Sequence, residues 1–313
     1  LAFSVSIEFN SSLKIIENIS FDKSVIKSNK RFTYEEVDVM LKAGEGKFYE
    51  ELFVLNKIAQ NVRKERMSNG SINFERSSIS FELNKSGEPC SVIKKPSLNA
   101  HHLVEEFMLL ANKFVAEKLG DLHQTIYRVH DLPNQEKIKD LAKYLNQILP
   151  NKKININHKN LSKKINNLMM SSSQKVHKDT VTSFVLRAMS KAKYDIKNLG
   201  HYGLGFKKYT HFTSPIRRYS DLIVHRLLNA AVQNKKISTE NIKEDCVYFS
   251  NVERKYIELE RKINKFIQLK LLQKSVGKSF YGVVSGLTNW GMYVELDGGK
   301  GEGLVSINKI GNE

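Results

Sequence analysis

The chain has 313 residues, with 50 Lys and Arg against 33 Asp and Glu, a formal net charge of +17 and 41% hydrophobic residues. That apolar share excludes wholesale disorder, and the lack of any run of about 18 apolar residues excludes a membrane-spanning helix. Two cysteines exclude a disulfide framework and a four-cysteine zinc site and fit a reducing compartment, while the positive excess points to a polyanion such as nucleic acid, although genome base bias also raises Lys content.

Leu1, Phe3, Val5, Ile7 and Phe9 alternate with small or polar residues, which predicts a half-buried strand starting at the first residue rather than a signal peptide. A strand already under way at Leu1, and an unfinished unit at Asn312 and Glu313, give the expectation of a piece of a longer protein. Further strands are expected over Ile15–Ile19 and around Lys23–Ser28. Thr33 and Glu36 form a capping-box pattern that opens a short helix to about Lys42, and Gly44 and Gly46 break it. Phe48, Leu52, Leu55, Ile58, Ala59 and Val62 keep helical spacing to about Met67. Strands are predicted around Ile72–Phe74, Ile79–Leu83 and Ser91–Ile93, with a turn at Ser86-Gly87. A helix from Asn99 to Leu119 carries the stripe Leu103, Phe107, Leu110, Ala111 and Phe114. Residues 134–200 read as largely helical, with a basic, Asn-rich stretch over Asn151–Lys164 that suits a solvated face. A charged helix covers roughly Asn251–Lys274, and glycine-punctuated short strands follow, so a domain boundary is placed near Ser275.

Residues 209–226 are the densest in chemistry: Tyr-Thr-His-Phe-Thr-Ser-Pro-Ile-Arg-Arg-Tyr-Ser-Asp-Leu-Ile-Val-His-Arg. Ser214 as N-cap and Pro215 as first helical residue predict a helix start, with Arg217 and Arg218 in its first turn. That end of a helix disfavours cations and suits phosphate. Two arrangements would offset the arginines. One is an ion pair with Asp221, at i+4 from Arg217 and i+3 from Arg218. The other is an anion gripped by the planar guanidinium fork.

This run resembles the signature of the RNase II/RNase R family of exoribonucleases almost throughout; Ser220 stands where the RNase R branch often has Pro. His101–Asn112, with its Glu-Glu pair and Ala-Asn ending, is similar to a family helix, and Tyr127–Pro133 to the Arg-x-His-x-x-Pro segment. The likeness runs from Leu1 to about Leu272, and the Arg-Arg-Tyr form leans to the RNase R branch. It implies an α+β RNB catalytic domain over residues 1–274 without its N-terminal part. It also implies processive, hydrolytic 3′-to-5′ degradation of single-stranded RNA to nucleoside 5′-monophosphates by a cytoplasmic, monomeric enzyme, within RNA-decay machinery and away from membranes. Arg217 matches the arginine that holds the scissile phosphate, and Glu105 an acid at the 3′-terminal nucleotide. Arg218 joins the RNA contacts, Phe74 falls where an aromatic ring stacks on the last bases, and Glu260, with Glu258 as competitor, where the RNase II branch has a functional glutamate.

The family holds Mg²⁺ with an Asp-x₅-Asp-x-Asp-Asp cluster, and no such run occurs in these residues. The resemblance places that cluster upstream of Leu1, so this chain by itself is expected to be inactive. A non-catalytic RNA-binding relative or a decay adaptor remains the alternative. His101, His102, His130, His211 and His225 lack zinc-motif spacing and read as structural or as donors on the phosphate side. Residues 275–313 resemble the start of an OB-fold RNA-binding domain of the ribosomal protein S-one type. Trp290 and Tyr293 replace two Phe of that pattern as stacking candidates, with Phe280 or Tyr281 beside them; Tyr293 is expected to face outward more surely than Trp290.

Overall fold

Strand β1 (Ala2–Phe9) finds its neighbour downstream: it pairs antiparallel with β2 (Ile15–Ser24), Phe3 opposite Lys23 and Val5 opposite Phe21. The computed structural model describes residues 1–73, 78–121, 125–148, 161–171, 182, 184–235 and 240–309. These divide into two units, one of residues 1–73, 98–132 and 190–251, the other of residues 74–97, 133–189 and 252–313. The architecture is the expected mixture of helices with short antiparallel sheets.

In the first unit the Thr33 capping box forms as read. The Glu36 N–H donates to Thr33 Oγ1 at 3.1 Å and the Thr33 N–H to Glu36 Oε2 at 2.7 Å, opening α1 (Tyr34–Ala43). Helix α2 (Tyr49–Ser68) follows, and then α3 (Asn99–Gly120). The expected stripe of α3 is inward, with Leu103, Leu110 and Phe114 buried. Strands β5 (Tyr127–Val129) and β6 (Lys193–Asp195) pair beside it. Val115, Leu119, Ile126, Tyr194, Phe212, Val224, Leu228 and Cys246 make the core, with Phe3, Val5 and Phe21 of the hairpin packed on it.

Two helix starts differ from the sequence reading. Helix α6 begins at Tyr219 and runs to Val232, with Arg218 as its N-cap, not Ser214. Residues 215–217 instead form a turn, in which the Arg217 and Arg218 N–H groups both donate to the Ser214 carbonyl. Helix α7 (Ile242–Gln273) begins nine residues before Asn251. Its first turn carries Lys243, Glu244 and Asp245, but the uncharged run from the buried Cys246 through Ser250 to Asn251 separates them from the charged remainder. Ser250 Oγ donates to the Cys246 carbonyl and accepts the Tyr194 N–H at 2.9 Å, which ties α7 to β6.

The second unit contains β3 (Ser78–Leu83) paired with β4 (Pro89–Lys95), then α4 (Gln135–Ile148) and α5 (Leu161–Ser171). Residues 151–160 of the basic stretch lie outside the described residues, as does Phe74. Strands β7 (Gly282–Thr288), β8 (Gly291–Leu296) and β9 (Glu302–Ser306) form an open three-stranded meander. Gly291 has φ 153°, and a Cβ there would overlap the Val305 carbonyl oxygen, so β8 and β9 approach this closely only with glycine at that point.

Candidate nucleic-acid interface

Helix α3 carries the acidic pair and separates its two members. Glu106 is 1% exposed in its side chain and is forked by Arg66 of α2, with Nε to Oε2 at 3.1 Å and Nη2 to Oε1 at 2.5 Å. The third Arg66 nitrogen, Nη1, donates to Ser71 Oγ, which in turn donates to the Gly203 carbonyl. Glu105, one residue earlier, keeps 47% of its side chain exposed. Its Oε2 lies 3.3 Å from His102 Nδ1 and 3.5 Å from Arg63 Nη1. The hydrogen bond to His102, then the charges of Arg63 and Arg66, hold its carboxyl below the usual range against the opposing effect of burial. Glu105 is therefore an ionised acid open to a ligand, and Glu106 a structural one.

Two turns further along α3, buried Asn112 shapes the signature run. Its Oδ1 accepts the N–H groups of Phe212 at 2.8 Å and Thr213 at 3.2 Å, and its Nδ2 donates to Tyr209 Oη at 3.0 Å. Thr210 Oγ1 donates to the Ile126 carbonyl, and the Arg128 N–H donates to the Tyr209 carbonyl at 2.8 Å. The His225 ring of α6 stacks on Phe212 at 4.3 Å, with Nε2 2.8 Å from the Phe212 carbonyl oxygen. Tyr209, Thr210, Phe212 and Thr213 are thus each held from outside the run, which holds the arginine turn that follows.

Behind that turn, in the first turn of α6, Asp221 is fully buried and is the hub. Its Oδ1 accepts both the Ser214 N–H and Arg218 Nη2 at 2.8 Å, while its Oδ2 accepts Ser220 Oγ at 3.2 Å. Arg217 is exposed and donates to Ser214 Oγ at 3.4 Å. Among the described residues, Arg218 Nε and Thr213 Oγ1 are buried without a hydrogen-bond partner. The exposed Arg217 guanidinium, on a turn anchored by buried partners, offers a planar fork to an anion.

The described residues do not suit a divalent ion. Among the described residues no group of three or more His, Cys, Asp or Glu is placed to hold a metal. The histidines pack with other partners: His130 Nδ1 accepts the Gly203 N–H, its Nε2 bonds the Ser190 carbonyl, and its ring meets His201 at 5.1 Å. Burial pushes His201 down to about 3.

In the second unit, Glu260 is exposed on α7. Trp290 lies in the turn between β7 and β8 and is 59% exposed, whereas Tyr293 lies mid-strand and half-buried, opposite Gly286 and Leu304. The expected order of the two rings is reversed, since a turn residue has no facing strand to cover it. Tyr281 is 92% exposed and Phe280 38%, with the Lys300 ammonium 5.4 Å from the Phe280 ring. Arg63, Arg66, Arg128 and Tyr194 escaped the sequence reading. Their partners lie far along the chain, and no local spacing marks them.

Residues 1–234 match the RNB domain family. Ribonuclease R of Aquifex aeolicus is 32% identical over 321 residues, covering 99% of this chain and 45% of that protein. The solved structure of Mycoplasma genitalium RNase R in complex with ribose-methylated single-stranded RNA superimposes with a TM-score of 0.90 at 24% identity, over 99% of this chain and 50% of that one. Yeast Ssd1, a pseudonuclease, superimposes with a TM-score of 0.74 at 20% identity, over 97% of this chain and 38% of that one. The chain spans about half the length or less of these relatives. With the signature run, its supporting asparagine and the acidic helix assembled in one unit, and with a family match over residues 1–234, the chain belongs to the RNB domain family.

Proposed function

We propose that this chain grips single-stranded RNA as part of a hydrolytic 3′-to-5′ exoribonuclease of the RNase R type that releases nucleoside 5′-monophosphates processively. The observation that carries the reading is the division of labour between the two arginines. Arg218 is tied to the buried Asp221, while Arg217 is exposed in the turn, with Ser214 Oγ 3.4 Å away. Arg217 then takes a backbone phosphate, Arg218 supports the turn and adds positive charge behind it, and Glu105 sits at the terminal nucleotide. Residues 1–274 are the catalytic-domain part and residues 275–313 the start of an OB-fold, where Trp290, Tyr281 and Phe280 stack on bases with little sequence preference. Glu260 and Phe74 are further RNA contacts in this reading. Mg²⁺ supplies water activation and leaving-group stabilisation in such an enzyme, and its carboxylate ligands come from residues outside these 313. The protein works as a cytoplasmic monomer alongside RNA-decay machinery.

The similarity to a pseudonuclease favours one rival, an RNA-binding relative without turnover. A 5′-labelled single-stranded RNA with Mg²⁺ separates them. This chain should bind and release no mononucleotide. A longer natural chain carrying the upstream aspartate run should shorten the RNA from its 3′ end; binding without shortening by that chain establishes the rival.

A further inference from the structure

The signature run holds a side chain that neither the arginine grip nor core packing explains. His211 Nδ1 lies 2.8 Å from Tyr194 Oη. Tyr194 is buried, with the Arg128 guanidinium 4.8 Å from its ring centroid and Phe249 edge-on at 6.2 Å, so its hydroxyl is held in place. Two rings meet the imidazole edge-on, Tyr194 at 5.6 Å and Tyr209 at 5.8 Å, and fix its plane. The other nitrogen, Nε2, has no hydrogen-bond partner among the described residues, and the side chain as a whole is half-buried, not sealed in the core. Burial, then the charges of Arg218, Arg128, His201 and Arg217, push the imidazole well below its ordinary pKa, so it is neutral and carries one N–H.

Which nitrogen carries that hydrogen decides what the group can do. A hydrogen on Nδ1 would leave the Nε2 lone pair facing any incoming phosphate, which repels it. A hydrogen on Nε2 makes a donor without adding a third cation to a place already crowded with guanidinium groups. Resting on the RNA-binding reading above, we propose that the Tyr194 hydroxyl donates to His211 Nδ1 and so holds the Nε2–H tautomer as an uncharged donor to a backbone phosphate oxygen of single-stranded RNA, beside Arg217 and Arg218. His211 is then a ligand-touching residue and Tyr194 a positioning residue.

The test uses the 313-residue chain, a labelled single-stranded oligoadenylate, and long-range ¹H–¹⁵N spectra of its histidines at pH 7.5. The free protein should show His211 protonated on Nε2 alone, and the oligoadenylate should shift that nitrogen without changing the tautomer. His211→Phe should weaken binding about tenfold, as one hydrogen bond to a charged group implies. His211→Gln, which keeps an N–H near the same point, should recover most of it. Tyr194→Phe removes only a hydroxyl; it should mix the tautomers and weaken binding about threefold. An Nδ1–H tautomer in the unsubstituted chain overturns the proposal. So does unchanged affinity in His211→Phe while Arg217→Ala weakens binding. If neither substitution alters affinity, the RNA-binding reading fails and takes this proposal with it.

Discussion

Arg218 Nη2 lies 2.8 Å from Asp221 Oδ1, so the carboxylate that spacing offered to either arginine belongs to Arg218. The late start of α6 is the cause. With residues 215–217 in a turn, the i+4 relation between Arg217 and Asp221 is no longer a helical one, whereas Arg218 at the N-cap stands directly over Asp221 three residues on.

The two arginines should therefore separate in experiment. Arg218→Ala strands a buried carboxylate and should lower stability by about 3 kcal/mol. Arg217→Ala should stay within about 0.5 kcal/mol of the unsubstituted chain and weaken oligoadenylate binding about tenfold. Urea unfolding beside a binding titration measures both. Equal destabilisation by the two would mean that Arg217 is a packing residue.

The acidic pair should behave as oppositely as its burial. Glu106→Gln removes the forked partner of the buried Arg66, leaving only Glu105 at 3.9 Å, and should cost about 3 kcal/mol, whereas Glu105→Gln should change stability by less than about 1 kcal/mol. Thermal melts of the two variants decide it, and a Glu105 variant that fails to fold would contradict its exposed placement.

For the ring pair, Trp290→Ala should weaken RNA binding by about 1–3 kcal/mol with little change in melting temperature. Tyr293→Ala should mainly lower the melting temperature, because its ring packs over Gly286 within β7 and β8. Fluorescence anisotropy with single-stranded RNA, paired with melting curves, tells them apart; the reverse pattern would restore the order read from the sequence.

Stability should fall in acid. His201 titrates near 3 in the folded chain against about 6.5 unfolded, and burial moves His130 and His211 in the same direction. Between those pH values the unfolded chain binds more protons. Stability is therefore complete above about pH 7 and is lost as pH drops below 6.5, by up to about 1.4 kcal/mol per pH unit for each such histidine. A urea midpoint that stays flat from pH 7 to pH 5 would contradict this.

Local rules carried the sequence reading where one segment decides the outcome. The Thr33 capping box, the alternating β1 and the apolar stripe of α3 are set by neighbours within four residues, and they formed as read. The same rule failed at Ser214-Pro215, where Asp221 takes the Ser214 N–H from seven residues away and holds the chain in a turn. Arg217 and Glu105 were reachable through the signature. The burial of Glu106 and Asn112 was not, because their partners come from α2 and from residues 209–213. Trp290 was misjudged because a spacing pattern does not reveal which residue falls in the turn.

Asn112 also has a temporal consequence. Its bonds to Tyr209, Phe212 and Thr213 close separations of 97, 100 and 101 residues. Closing a loop of that length costs about 4 kcal/mol of chain entropy, which only docking of the elements between can offset. A chain synthesised from its N-terminus at about 5–20 residues per second exposes the asparagine about 5–20 seconds before its partners exist. In that interval the acidic helix is complete and the arginine turn has no shape. Nascent chains should thus gain their hold on RNA late and abruptly, and a product that terminates before Tyr209 should never gain it.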